Sequence, residues 1–167
     1  MNRSMLYQQL QTLTEKELYF KECQDSNTIP KLPYDLSMPY KLFESMLFPP
    51  DSKQNVLAMK HECYSPSQTH SHDFFEIIYV LEGQSQHEIS GKHSRLKGGD
   101  LCMISPETMH YIHVPDNSII IDILIRKSAF ERVFSNLLSD DNILSAFFCG
   151  KYLYGRCQRL YYFSYRE

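Results

Sequence analysis

The chain has 167 residues, with 17 Lys and Arg against 20 Asp and Glu, and its formal net charge is −3. This length is enough for one domain with its own hydrophobic core, and an apolar fraction of 43% is typical of a globular protein. The slight excess of acidic residues argues against a surface that binds nucleic-acid phosphates. No apolar run is long enough to predict a membrane-spanning segment.

The first 54 residues predict two helices followed by an irregular arm. Leu6, Leu10 and Leu13 are spaced for one helix face, and Thr14 with Glu17 forms a capping box that starts a second helix. Five prolines between residues 24 and 54 exclude long helices and central strands there. Because this arm also carries many apolar side chains, we expect it to pack on the surface of the domain.

The N-terminal segment and the cysteines bear on the cellular compartment. The opening residues have neither the continuous apolar stretch nor the small-residue cleavage site of a signal peptide. The five cysteines are scattered and form no CxxC pair, which indicates reduced thiols. We therefore expect a cytoplasmic protein.

Residues 55–127 predict a series of short strands. The segments rich in β-branched and aromatic residues are NVLAMKHECY, FFEIIYVLEG, GGDLCMIS, MHYIHV and NSIIIDILIR, and Gly, Pro and Asn separate them. QSQHEISGKHSRL predicts a polar hairpin that turns at residues 90–92. Short strands at close spacing favour a mainly β domain built as a barrel or sandwich.

The hydrophobic period changes to that of a helix in residues 128–167. Ser128 with Glu131 forms a second capping box, and the apolar residues that follow repeat every three to four positions. SDDNILSAFF predicts the start of another helix that ends near Gly150, and RLYYFSYRE predicts a closing strand. The apolar stripe of the first helix would cover the barrel.

The stretch HSHDFFEIIYVLEG holds the candidate functional residues. In an extended strand His72, Glu76 and Ile78 share one face, and both faces of this strand are largely apolar. A glutamate in such surroundings needs a metal ion or a histidine to compensate its charge. The stretch therefore predicts either a metal site or a hydrogen-bonded polar cluster inside a barrel.

The histidines and glycines of this region resemble the two motifs of the cupin superfamily. His70, His72, Glu76 and Gly83 have the spacing of the first motif, and Gly99 and His110 keep the separation of the second. The resemblance implies a cupin barrel, a double-stranded β-helix or jelly roll, in which His70, His72, Glu76 and His110 hold one divalent ion. Three imidazoles and a carboxylate suit Fe, Mn, Ni, Cu or Zn.

Four departures from the cupin motifs point to one branch of the superfamily. Tyr64 replaces the glycine that opens the first motif, Pro106 falls one residue late, and Glu107 and Val114 stand where a glycine and an asparagine are usual. Over about residues 56–149 the chain resembles the N-terminal sensing half of AraC/XylS-type bacterial transcription regulators. That resemblance implies a small effector in the barrel, helices that form a homodimer, and a separate pair of DNA-binding helix-turn-helix motifs. No such second domain follows up to Glu167, so we expect a fragment of a longer regulator or a free-standing sensor.

Two sets of residues follow from these resemblances. The candidate ligand-binding residues are His70, His72, Glu76, Ile78, Met103, His110 and Ile112, and the candidate dimerisation residues are Phe130, Val133, Phe134 and Leu137. The histidines and the glutamate can hydrogen-bond one another or an effector, so a sensing domain requires no cofactor. A metal-dependent cupin enzyme of dioxygenase or isomerase type is the alternative function, with the four polar residues as its ligands.

The remaining polar residues have more ordinary interpretations. His61 and His113 are expected to be surface or packing residues, and His87 and His93 to be solvated beside the hairpin turn, although His87 could reach the barrel mouth. Asp122 interrupts an apolar run and needs a partner. The favoured interpretation puts Asp122 near a strand end with a backbone partner, and the alternative puts it in the ligand cavity.

Overall fold

The computed structural model of the protein describes residues 2–33 and 35–133 and the backbone of residues 134 and 161–163. Within this part of the chain the protein is mainly β, with two five-stranded sheets and a few short helices. The predicted second C-terminal helix and the candidate dimerisation residue Leu137 lie outside the described residues. Among the described helices none has the length and apolar character to cross a membrane.

Helices flank the run of strands from β2 to β9 in the described part of the chain. The helices are α1 Arg3–Gln11, α2 Glu15–Asp25, α3 Glu44–Leu47 and α4 Lys127–Phe134. The strands are β1 Tyr40–Leu42, β2 Val56–Lys60, β3 His70–His72, β4 Phe75–Glu82, β5 Gln84–Ile89, β6 Lys92–Lys97, β7 Leu101–Ile104, β8 His110–His113, β9 Ile119–Ile125 and β10 Tyr161–Phe163. One sheet has the order β1-β3-β8-β5-β6 and the other β10-β7-β4-β9-β2.

The core lies between the inner faces of the two sheets. Alternate residues of β4 and β7 point inward, and so do those of β5 and β8, as the burial pattern along each strand requires. The buried apolar cluster contains Cys63, Ile78, Val80, Ile89, Leu96, Cys102, Ile104, Ile112, Val114 and Ile120. Inward positions on the same strands also carry the polar residues described below.

Glu17 ties the N-terminal helices to the barrel. The predicted capping box of Thr14 and Glu17 is confirmed, with both of its hydrogen bonds present. The second oxygen of the buried Glu17 side chain accepts a hydrogen bond from the N–H of Cys63 at 2.9 Å, and Lys60 Nζ lies 2.9 Å from the same oxygen. This carboxylate therefore fixes α2 against the segment that follows β2.

The proline-rich arm adds a strand to the edge of one sheet. β1 pairs in parallel with β3, so that Tyr40 lies opposite His70 and Leu42 opposite His72. Phe48, further along the arm, is buried against Phe74 and Leu124. The arm thus contacts the strand that carries the candidate histidines.

The predicted strand FFEIIYVLEG corresponds to β4, and it does not extend back to His70, because His70–His72 form a separate strand, β3, in the other sheet. β3 ends at His72 and β4 begins at Phe75, and the chain crosses from one sheet to the other at Asp73 and Phe74. Asp73 Oδ1 accepts the N–H of Glu44 at 2.5 Å. This long-range contact holds Asp73 against the start of α3, at the point where the chain leaves one sheet for the other.

The helix α4 begins one residue before the predicted cap. Its first residue is Lys127, whose N–H donates to Glu44 Oε2 at 2.8 Å, so the prediction of Ser128 as the N-cap is wrong. Phe130 is buried and stacks on Phe75 with ring centroids 4.0 Å apart, whereas Val133 is 65% exposed. At the far end of the chain β10 pairs with β7, which confirms the predicted closing strand.

Candidate metal centre and effector cavity

Three buried residues from both sheets converge inside the barrel. His72 comes from β3 and His110 from β8 of one sheet, and Glu76 comes from β4 of the other. Their ligand atoms all lie within 4.8 Å of one another. The crossing at residues 73–74 brings His72 and Glu76 together although they belong to different sheets.

Backbone carbonyl groups fix the orientation of both imidazole rings. His72 Nδ1 lies 2.8 Å from the carbonyl oxygen of Phe74, and His110 Nδ1 lies 2.9 Å from that of Thr108. Since a carbonyl oxygen only accepts, each Nδ1 carries the proton and donates it. Each Nε2 therefore bears the lone pair when the ring is neutral, which is the arrangement that orients a histidine ligand toward a metal.

Both Nε2 atoms face the same carboxylate oxygen. Each lies 3.2 Å from Glu76 Oε2. His72 Nε2 meets this oxygen with hydrogen-bond geometry, whereas His110 Nε2 does not and has no hydrogen-bond partner among the described residues. Because a nitrogen lone pair and a carboxylate oxygen repel each other, a proton or a cation is needed between them.

The donor set fits a divalent transition metal. Two imidazole nitrogens and one carboxylate oxygen are ligands that Fe, Mn, Ni, Cu and Zn accept, and the unpaired nitrogen of His110 is a buried polar atom that an ion would satisfy. Burial opposes ionisation of Glu76, but His110 and His72 beside it hold the pKa of its carboxyl well below its usual value. The carboxylate is therefore the form of Glu76 at neutral pH.

His70, the fourth ligand predicted from the motif, lies beside the cluster but outside it. It is the direct strand partner of His110, and the two ring centroids are 4.2 Å apart. Its Nδ1 is 3.0 Å from the carbonyl oxygen of Gln68, and Tyr40 stacks on its ring. Burial and the neighbouring His110 lower the pKa of His70 to about 4.

A cavity of about 290 Å³ opens next to this cluster. Its size is close to the lower end of the range of ~300–1,000 Å³ that is typical of small-molecule sites. Its wall consists of Lys16, Tyr40, Met59, Lys60, His61, Glu62, Ser65, Pro66, Ser67, Gln68, His70, Ile112 and Asp122. His70 and Ile112 connect the cavity to the cluster, because they neighbour His110 across and along the sheet.

The other two candidate ligand residues lie away from this cavity wall. Ile78 is fully buried in the apolar core. Met103 alternates along β7 with the core residues Cys102 and Ile104, so its side chain lies on the opposite face of that strand.

Asp122 and the partly buried His61 form a pair that the sequence did not predict. Asp122 lies in the middle of β9, and its Oδ2 accepts from His61 Nδ1 at 2.7 Å. The favoured interpretation of Asp122 at a strand end with a backbone partner is wrong, and its place on the cavity wall agrees with the alternative. The acidic residue within the apolar run SIIIDILI indicated in the sequence that Asp122 needs a partner, but nothing in the run identified His61 as that partner.

His87 is buried, so the prediction of a solvated side chain is wrong. It is 1% exposed, because β5 turns Ser85, His87 and Ile89 toward the core in alternation. Its Nε2 lies 2.7 Å from the hydroxyl of Ser85, and burial lowers its pKa to about 4. His93, on the other strand of the hairpin, is exposed as predicted.

Two facing sheets with a buried His–Glu–His cluster on their inner faces define a cupin-type domain. The sequence model of the AraC-like ligand-binding domain matches residues 60–146, which is more than half of the chain. The chain therefore belongs to the AraC-like ligand-binding domain family, in agreement with the resemblance found in the sequence. A comparison with curated proteins found no match.

Several solved structures are similar to this chain over part of its length. KdgF from Halomonas sp. is 26% identical over 44% of this chain and 71% of that chain, with a TM-score of 0.38. An RmlC-like cupin from Shewanella frigidimarina NCIMB 400 is 23% identical over 43% and 67%, with a TM-score of 0.39. A protein from Thermotoga maritima described as a predicted oxalate decarboxylase is 28% identical over 42% and 64%, with a TM-score of 0.36. Similarity at these scores does not assign an activity.

Proposed function

We propose that this chain is the effector-sensing and dimerisation part of a cytoplasmic AraC/XylS-type transcription regulator. The supporting observation is a family match to AraC-like ligand-binding domains in a chain whose barrel has a small cavity beside a buried polar cluster. The effector would occupy this cavity. Contact with DNA would belong to a separate helix-turn-helix domain.

The contacts around the cavity offer a route from the effector to the dimer. Tyr40 of the arm lines the cavity and stacks on His70. Further along the arm Glu44 binds the N-terminus of α4, the helix that carries candidate dimerisation residues. A ligand can change this system only by binding one arrangement of arm and helix better than another.

Dimerisation tests the proposal most directly. We expect wild-type protein to have the mass of a dimer by light scattering, and Val133→Glu to give a folded monomer because Val133 is 65% exposed on α4. Glu131→Gln, an exposed change on the same helix, is the control and should leave the mass unchanged. A monomeric wild type, or a Val133→Glu protein of dimer mass, would contradict the proposed contact.

A fusion experiment tests the regulatory role. Residues 1–167 would be joined to a DNA-binding domain that represses a reporter gene only as a dimer. We expect repression by the wild-type fusion and loss of repression by the Val133→Glu fusion at equal expression. Equal repression by both fusions, or by neither, would contradict a dimerising sensor.

A metal-dependent cupin enzyme is the second candidate function. It is supported by the oriented imidazoles of His72 and His110 and the ionised Glu76. A bound ion would supply Lewis-acid chemistry toward substrate oxygen atoms. Elemental analysis of protein purified without chelators is the test: the enzyme requires near-stoichiometric metal that is lost in His72→Ala. Folded protein free of metal would eliminate this candidate.

A further inference from the structure

The edge strand β6 carries a concentrated positive charge. Among the described strands only β5 pairs with β6, so the other edge of its backbone has no strand partner there. Lys92, Arg95 and Lys97 are all exposed on this strand, which contains no acidic residue. Because the whole chain has a net charge of −3, the charge of β6 is opposite in sign to that of the protein.

The three cations of β6 lack the ion pairs that other cations of the protein form. Lys60 and Arg126 each lie within 3.1 Å of a glutamate oxygen, whereas no described residue forms an ion pair with a cation of β6. Two acids beside the strand contact other groups: Glu88 lies 3.5 Å from the imidazole of His93, and Asp100 accepts a backbone N–H of β6 at 2.8 Å. Carboxylates of a partner would therefore meet cations that have no counter-charge in the described part of the protein.

The alternation of side chains along β6 defines what a segment paired with it would need. Arg95 and Lys97 lie on the outer face of the sheet, opposite Gln86 and Gln84, and the buried Leu96 lies between them on the inner face. A strand added beside β6 would place alternate residues next to the two cations and the intervening residues next to the rim of the core. A segment in which acidic and apolar residues alternate satisfies both faces.

We propose that β6 is a docking edge for an acidic extended segment of a partner protein, which adds a strand to the sheet. Backbone hydrogen bonds supply affinity in this mode, and carboxylates opposite Arg95 and Lys97 select the acidic sequence. A peptide fits this edge better than DNA does, because a peptide has N–H and C=O groups at the spacing of the strand and the net charge of −3 opposes a long polyanion. The inference goes beyond the proposed sensing role and is independent of the barrel cavity.

Fluorescence anisotropy with labelled peptides and the full chain tests the inference. The acidic probe is a peptide of about ten residues that alternates Glu and Val, long enough for a strand. A neutral probe has Gln in place of each Glu, and a third probe has Pro in place of each Val, so that it lacks backbone donors for pairing. We expect saturable binding of the acidic probe alone, and this binding should weaken as NaCl rises from about 0.05 to 0.5 M. Hydrogen exchange should become slower in β6 and stay unchanged in β2, an edge strand of the other sheet.

The double change Arg95→Gln and Lys97→Gln removes two cations and keeps the backbone of β6. We expect it to weaken binding of the acidic probe about tenfold, since two exposed ion pairs are lost. The matched control is Lys31→Gln with Lys53→Gln, which removes the same charge at exposed positions outside the helices and strands. This control should leave binding unaltered.

Several results would overturn the inference. They are no saturable binding of the acidic probe to folded protein, equal binding of the neutral or proline probe, tighter binding of duplex DNA, or equal effects of the two double variants. Self-association of the Arg95→Gln and Lys97→Gln protein without binding of any probe would show instead that the cations only prevent pairing between copies of this edge. Because dimer mass and repression are measured separately, a repressing dimer that binds no acidic probe refutes this inference alone.

Discussion

Glu17 shows how one buried carboxylate holds a helix to the barrel. Its pKa is lowered although burial opposes ionisation, because the N–H groups of Cys63 and Thr14 and the ammonium of Lys60 stabilise the charge. If the carboxylate loses its charge, the N–H groups and the ammonium that face it are left without a charged partner in a buried position, which is costly. The stabilisation therefore depends on the protonation state of this one side chain.

We predict that Glu17→Gln lowers the free energy of unfolding at pH 7 by roughly 1–3 kcal/mol. Because the folded-state pKa lies below the ordinary value of 4.5, the contribution is present above pH 4.5 and is lost as pH falls through the folded-state pKa. Urea unfolding of both proteins at pH 7 and at values below 4.5 should show a difference that shrinks with acid. Glu15→Gln on the exposed side of the same helix is the control, and a gap independent of pH would contradict the prediction.

His87 should make the protein sensitive to acid in a different window. Its folded-state pKa is about 4 against an ordinary 6.5, so the unfolded chain takes up the proton first as pH falls. Stability is then lost between pH 6.5 and 4, by roughly 3 kcal/mol in total. We expect His87→Gln to lose less stability than wild type between these values in chemical denaturation. His93→Gln, at an exposed site, should behave like wild type.

The difference in position between His70 and His110 predicts different effects on metal binding. We expect Zn²⁺ added to metal-free protein to stabilise it, by about 2.7 kcal/mol when the ion is at 100 times its Kd. His110→Ala should remove this effect because His110 belongs to the cluster, whereas His70→Ala should retain most of it. Thermal unfolding with and without Zn²⁺ measures both. Equal losses in the two variants would show that His70 is a full ligand.

Among the elements, α3 and α4 are joined by one side chain. Glu44 accepts from the N–H of Lys127 through one oxygen and pairs with Arg126 through the other at 3.1 Å. Arg126 also donates to the carbonyl oxygens of Gln54 and Pro49 and lies over the ring of Phe48. The start of α4 is therefore attached to the arm rather than capped by its own residues.

We predict that Glu44→Gln loosens the first turn of α4 by about 1 kcal/mol, the usual effect of losing a cap and its charge at a helix N-terminus. Hydrogen exchange should become faster at the amides of residues 127–131 and remain unchanged in β5 and β6. Glu131→Gln serves as the control on the same helix. Unchanged exchange in α4 would mean that the arm does not stabilise this helix.

The elements were predictable where local signals agreed with the tertiary structure. The capping box at Thr14, the hairpin turn at residues 90–92 and the closing strand all depend on neighbouring residues, and the structure contains each of them. The break at Asp73 and the start of α4 at Lys127 depend on Glu44, about 30 and 80 residues away in sequence. The sequence pattern of neighbouring residues contains no information about partners so far away along the chain.

Across the whole molecule, the site was predictable only as far as the motif resemblance reached. The spacing of His72, Glu76 and His110 resembled a known ligand set, and these three residues do converge. The cavity wall was not predictable, because it joins α2 with β1, β2, β3, β8, β9 and the segment between β2 and β3, and these contacts arise only in the closed barrel. His61 and Asp122, 61 residues apart, meet for this reason.

The order of strands in the two sheets also determines how quickly the chain can fold. The β5–β6 hairpin closes through Ser90 and Gly91, both in the left-handed conformation that such a tight turn needs, and hairpins of this kind form in about 1–10 μs. β4 instead pairs with β9, which puts Ile78 opposite Asp122. Proteins dominated by such long-range strand pairing fold slowly, in times on the order of milliseconds to seconds. His72, Glu76 and His110 meet only after both sheets exist, so an ion bound there should slow unfolding and leave the folding rate unchanged in stopped-flow mixing with Zn²⁺.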